Sequence, residues 1–132
     1  AVMKSDPFKQ AAEAKDFSQV EDLFAEDVVF RSPVVYKPYE GREATMAILQ
    51  AVLRVFEGFE YLDVTEGDST AALVFGARVG DRELEGLDHL TFDADGRITE
   101  LRVMVRPMSG MHALGEAMRK ELEAAGAAAS GD

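Results

Sequence analysis

The sequence predicts an α+β fold in which an antiparallel sheet curls over helices on one side. Three observations carry that reading. Helical periodicity fills the first part of the chain, the second half is a succession of strand-like runs joined by tight turns, and a last amphipathic stretch returns to helical spacing. An antiparallel sheet can pack on helices with one face, so a sheet curled around them encloses a cavity. At 132 residues the chain fits one domain, with its core over 6–124 and a small-residue tail, AAGAAASGD, frayed over 125–132.

The elements follow in order. Asp6 and Pro7 form an N-cap and first helical residue, and the spacing of Phe8, Ala11 and Ala12 predicts a helix over 7–14. Val20, Leu23 and Phe24 predict a second short helix over 17–25. Val28, Val29 and Phe30 favour a strand that Pro33 ends or places at a sheet edge. After the loop YKPYEGRE, the stretch REATMAILQAVLRVF stacks Ala44, Ile48, Val52 and Val55 on one side, with Leu49 and Phe56 beside them, and Gly58 closes it. FEYLDVTEG, STAALVFGARVG, RELEGLDHLTF and RITELRVMVRP are strands, with turns at Gly80-Asp81 and DADG. Ser109 caps a final helix over 110–124, whose apolar side is Met111, Leu114, Met118 and Leu122.

Composition narrows the function. A net charge of −11 disfavours phosphate backbones and anionic membrane surfaces, so neither nucleic acid nor membrane is an expected partner. There is no cysteine, which excludes thiolate metal sites, thiol nucleophiles and redox dithiols. The opening residues AVMKSDPFKQ lack the apolar core of a signal peptide, and a cytoplasmic protein is the default expectation. His89 and His112 have no helical pairing with one another, and the acids are scattered on polar faces, so no metal site is expected, and no cofactor.

One residue breaks the apolar pattern. Read with a period of two, Leu84, Gly86, Asp88, Leu90 and Phe92 share a strand face, and Asp88 is the only charge on it. Burial disfavours the ionised carboxylate, so its pKa is expected to rise, giving a hydrogen-bond donor or a general acid and base near neutral pH. The alternative is a carboxylate paired with an Arg or a backbone donor that only fixes the sheet. Arg102 is a poor partner for it, because it alternates with the inward positions Leu101 and Val103.

The stretches LFAEDVVFRSP, YEGREA and DHLTFDADGRI, in this order along residues 6 to 122, resemble the nuclear transport factor 2-like superfamily, above all its polyketide-cyclase-like (SnoaL-like) branch. The chain is more distantly similar to ketosteroid isomerases. The resemblance implies a cone-shaped bent sheet with a pocket at its open end, and a homodimer through the sheet's outer face, where His89 would be a contact. The fold hosts isomerases, cyclases, hydrolases, dehydratases and binding modules, so it does not choose the chemistry. In the isomerases the general base is an Asp immediately before the Pro that ends the first strand; that position is Ser32 here. Their oxyanion hole pairs a first-helix Tyr with a protonated Asp on the strand before last; these positions are Phe8 and Asp88. One of the three groups is therefore retained, and a serine hydroxyl is too weak a base to replace a carboxylate unaided.

The resulting expectation is a pocket for a small, mostly apolar or carbonyl-containing molecule. Asp88 would exchange a proton with it, and Ser32 and Tyr36 would orient it. Phe24, Phe30, Val52, Phe56, Leu90, Leu101 and Val103 are the candidate walls. Tyr39 shares the mouth loop with Tyr36. The alternative is a non-catalytic ligand-binding or dimerisation module.

Overall fold

A computed structural model describes residues 3–124; the tail expected over 125–132 lies outside the described residues. The order is α1 (Asp6–Glu13), a short 3₁₀ turn (Glu21–Leu23), β1 (Phe24–Arg31), β2 (Tyr39–Glu40), α2 (Arg42–Val55), β3 (Glu57–Glu66), β4 (Thr70–Val79), β5 (Arg82–Phe92), β6 (Ile98–Arg106) and α3 (Met108–Ala124). The six strands form one curved, unclosed sheet in the order β2-β1-β6-β5-β4-β3.

The expected antiparallel sheet is mixed at one joint. Strands β3 to β6 follow one another as antiparallel neighbours, but β1 lies parallel to β6, with Phe30 opposite Leu101 and Arg31 opposite Arg102. The reason is connectivity: the chain leaves β1 for β2 and α2, and returns beside β1 only after the full β3–β6 meander. Gly80-Asp81 is the two-residue turn between β4 and β5, with Gly80 at φ 61°. In the DADG turn the Asp93 carboxylate accepts the N–H groups of Asp95 and Arg97, each at 2.9 Å.

The second helix expected over 17–25 does not form. Only Glu21–Leu23 turns, and Phe24 is already extended at φ −101°, ψ 138°. Of the residues that suggested a helical stripe, Val20 and Leu23 flank or end the 3₁₀ turn, and Phe24 opens β1, where it faces inward with Val28 and Phe30. Phe24 closes an aromatic triangle with Phe8 and Phe17, at centroid distances of 6.3 and 5.9 Å. That burial outweighs the weak intrinsic preference of one more helical turn. Ser109 likewise sits inside the first turn of α3 rather than capping it. On α2 the buried positions are Thr45, Ile48, Leu49, Ala51 and Leu53, so the helix is rotated from the expected Ala44–Val55 stripe. Its start is tied to β1 by Arg42, whose Nε and Nη2 donate to the Phe24 carbonyl at 3.0 and 2.7 Å.

The inward sheet face and all three helices share one apolar core, with Phe8, Phe24, Leu73, Phe75, Leu90, Leu101 and Leu114 at its centre. Among the described residues the buried polar or charged ones are Ser5, Thr45 and Asp88. A lone carboxylate in such a core is costly to ionise, so its surroundings define the site.

Candidate functional site

Strand β5 alternates as the sequence predicts: Leu84, Gly86, Asp88, Leu90 and Phe92 are buried and the residues between them are not. Asp88 is 7% exposed and opens onto a cavity between the sheet and the helices. Ile48, Leu49, Val52 and Leu53 of α2 form one wall, and Leu114 and Met118 of α3 another. Phe56, Phe59 and Phe75 add an aromatic part to the lining. Ser32, Pro33 and Val34, at the exit of β1, line the remaining side. The hydroxyls of Ser32 and Tyr61 and the Asp88 carboxylate are the polar side-chain groups in this lining. The room left for the centres of water-sized molecules is about 50 Å³.

Among the described residues no cation pairs with Asp88. Its Oδ2 accepts a hydrogen bond from the Tyr61 hydroxyl at 2.7 Å, and among the described residues Oδ1 has no hydrogen-bond partner. Burial raises the carboxyl, the Tyr61 hydrogen bond partly opposes that rise, and the net is a shift from 3.8 to about 7. Tyr61 is itself pushed well above its usual value, first by burial and then by the charge of Asp88. At neutral pH the pair therefore holds a phenol that stays protonated and a carboxyl close to half ionised. Such a carboxyl can take a proton or give one within the same site.

The sequence-derived site residues separate into groups. Asp88, Ser32, Phe30, Val52, Phe56 and Val103 all line the cavity. Phe24, Leu90 and Leu101 do not: each is fully buried on the inward side, but behind the lining. Leu90 and Leu101 face one another across β5 and β6, one row further along the sheet than Asp88 and Val103, where the core is packed solid. Tyr36 is 95% exposed and stands over an outer groove with Arg31, Arg102 and Met104, so it is not at the cavity wall. Tyr39 is on β2 with its ring 6.1 Å from that of Phe30. Arg102 is on the outer face, 3.6 Å from Glu100, which also accepts from Arg31 at 2.6 Å. His89 is on the same outer face, opposite Arg102. His112 is exposed on α3.

Tyr61 is the residue that sequence reasoning missed. Phe8, at the first-helix position where the isomerases carry a tyrosine, lines the cavity without a hydroxyl. The hydroxyl comes instead from β3, two strands away from Asp88. The alternation of Phe59 and Tyr61 placed both rings on one face, which was the available signal. What no local pattern gives is the reach of the tyrosine across β4.

The fold and this site together define a class: a curved-sheet α+β protein with a carboxylate in an apolar pocket. The family model for the SnoaL-like domain matches residues 8–101, and the chain belongs to that family. Its structure is similar to that of a steroid delta-isomerase from Pseudomonas aeruginosa, at 43% identity and a TM-score of 0.90, over 95% of this chain and 93% of that one. It is also similar to an uncharacterised bacterial protein with a cystatin-like fold from Silicibacter pomeroyi, at 31% identity and a TM-score of 0.87, over 91% and 85% of the two chains. The epoxide hydrolase/cyclase-like enzyme SalBIII, which acts in pyran ring formation in salinomycin, shares the fold at 18% identity and a TM-score of 0.59, over 82% and 97%. No curated protein sequence matches the chain. Among the described residues no helix is long and apolar enough to cross a membrane.

Proposed function

We propose that this chain is a cofactor-free acid/base protein of the isomerase/cyclase type, which takes up a small, mostly apolar molecule bearing a carbonyl or enol oxygen. Asp88 exchanges a proton with that ligand and Tyr61 holds the carboxyl in place. The observation that carries this reading is the pairing of Asp88 with a neutral phenol rather than a cation inside an apolar cavity. A structural carboxylate in a core is normally paired with a cation or fully hydrogen-bonded. Here Oδ1 is left without a partner among the described residues, on a group that lines the cavity.

In its protonated form Asp88 donates to the ligand oxygen and stabilises negative charge developing there; in its ionised form it accepts a proton from the ligand. Ser32, also in the lining, orients the ligand by hydrogen bonding. The steroid delta-isomerase likeness supports the proton-transfer class.

One observation favours a second reading, a binding module without turnover. Ser32 stands where an isomerase base would be, so among the described residues Asp88 is the one carboxyl group in the cavity lining. Proton exchange at the carbon next to the carbonyl separates the two. Incubation of cyclohex-2-enone with the protein in D₂O, followed by NMR, is expected to show protein-dependent deuterium incorporation that Asp88→Asn abolishes. Binding of the enone with no incorporation above buffer identifies the module instead.

A further inference from the structure

Strand β1 pairs with β6 as far as Arg31, which lies opposite Arg102. Beyond that rung the chain leaves the sheet through Ser32 and Pro33, while β6 runs on through Val103, Met104 and Val105 beside β5. The sheet is split at this point. On its outer side the split opens into a groove bordered by Arg31, Tyr36, Arg102 and Met104, with about 370 Å³ of room. On its inner side lies the cavity with Asp88. Ser32, Pro33 and Val103 border both, so one layer of residues separates groove from cavity.

The groove is cationic in a chain whose net charge is −11. Arg31, Arg102 and His89 hold neighbouring places in one row across β1, β6 and β5. Two guanidiniums on one rung repel one another and call for an anion between them. Among the described residues the carboxylate within ion-pair range of either is Glu100, 2.6 Å from Arg31 and 3.6 Å from Arg102. The Arg31 hydrogen bond holds the Glu100 carboxyl below its ordinary value, with Arg102 and His89 adding to the effect and burial opposing it. One carboxylate shared by two guanidiniums leaves a positive charge over. At 3.6 Å Arg102 is beyond hydrogen-bond length from Glu100, so its donors are open to a second anion. Both arginine side chains are accessible, at 42% and 43% exposure.

We propose that this groove is an anion subsite and that the ligand of Asp88 is a small oxo acid. Its oxo end passes Ser32 and Val103 to meet Asp88, and its carboxylate stays outside on Arg31 and Arg102. This rests on the assignment of Asp88 as the ligand-facing acid. The about 50 Å³ of room inside then takes the reacting end alone, and the groove holds the rest of the molecule. Glu100 positions the guanidiniums and competes with the ligand for them.

The test is an NMR titration of the intact protein with 6-oxoheptanoate and with heptan-2-one, which carries a methyl group in place of the carboxylate. The Asp88 carboxyl carbon and the arginine Nε signals are followed together. The acid is expected to shift Asp88, Arg31 and Arg102 along one saturation curve and to bind about fivefold or more tighter than the ketone. Added salt weakens the acid selectively. Arg102→Gln is expected to bring the ratio of the two affinities close to one. Glu100→Gln, which frees both guanidiniums, is expected to raise that ratio, whereas loss of a merely structural bridge would not. Equal affinity for acid and ketone in the unaltered protein overturns the inference. So does an acid that shifts the arginines without Asp88, or Asp88 without the arginines, as a row covered by a second copy of the chain would require. If Arg102→Gln does not fold, Glu100→Gln and the salt dependence decide. If neither compound moves Asp88 but cyclohex-2-enone does, the inference falls and the proposed function stands; if none of the three does, both fall.

Discussion

The Tyr61 hydroxyl reaches across β4 to donate to Asp88 Oδ2 at 2.7 Å, joining residues 27 apart in sequence on the first and third strands of the β3–β5 meander. This bond opposes the rise that burial imposes on the carboxyl, and about 7 is the net of the two. Removing it in Tyr61→Phe takes away the group that stabilises the ionised form, so the Asp88 midpoint is expected to move upward. Titration of the Asp88 carboxyl carbon in the variant checks this. A downward movement would mean that the phenol is not the donor.

Asp88 also makes stability depend on pH with a definite sign. Its folded pKa of about 7 lies above the ordinary value of 3.8, so between those two values the folded protein holds a proton that the unfolded chain has released. Stability from this group is complete below about pH 4 and is lost as pH rises through about 7, where the deficit reaches on the order of 4 kcal/mol. Asp88→Asn removes this dependence. Urea unfolding of both proteins at pH 5 and pH 8.5 is expected to show the variant gaining stability relative to the parent at the higher pH. Loss of several kcal/mol at both pH values would mark Asp88 as a structural carboxylate.

Ser32 lines the cavity immediately before Pro33, where a carboxylate would serve as a second base. Ser32→Asp is expected to accelerate deuterium exchange into cyclohex-2-enone by about 10²-fold or more, the usual scale of a positioned general base. A second negative charge nearby also disfavours ionisation of Asp88, so its midpoint moves up in the same variant. The exchange rate and the Asp88 titration measured on one sample check both effects.

Tyr36 is almost wholly exposed and lies outside the cavity. Tyr36→Ala is expected to leave enone affinity unchanged and to alter stability by no more than about 0.5 kcal/mol. A titration that shows substantially weaker binding would place the mouth loop over the ligand.

The inward row of β5 was legible because a strand buried on one face leaves a period of two, and an acid in that row has nowhere else to point. The hairpin at Gly80-Asp81 and the helix from Arg42 were legible from local chemistry for the same reason: turn residues and periodic apolar positions are short-range signals. What failed was long-range. Phe24 reads as the end of a helical stripe until Phe8 and Phe17 are known to surround it. Leu90 and Val103 look alike as inward residues, and only the placement of the helices shows which of them borders empty space. The parallel joint of β1 with β6 and the reach of Tyr61 are both cross-strand facts. No window of sequence contains them.

The central claim is that Asp88 is an inward-turned acid poised to trade a proton with a bound molecule. Its side-chain carboxyl carbon, followed by ¹³C NMR from pH 3 to pH 9 in the folded protein, tests this most directly. A midpoint of about 7 that shifts when cyclohex-2-enone is added is the expected result. A midpoint close to 4, unmoved by the enone, would mean a solvated carboxylate and would contradict it.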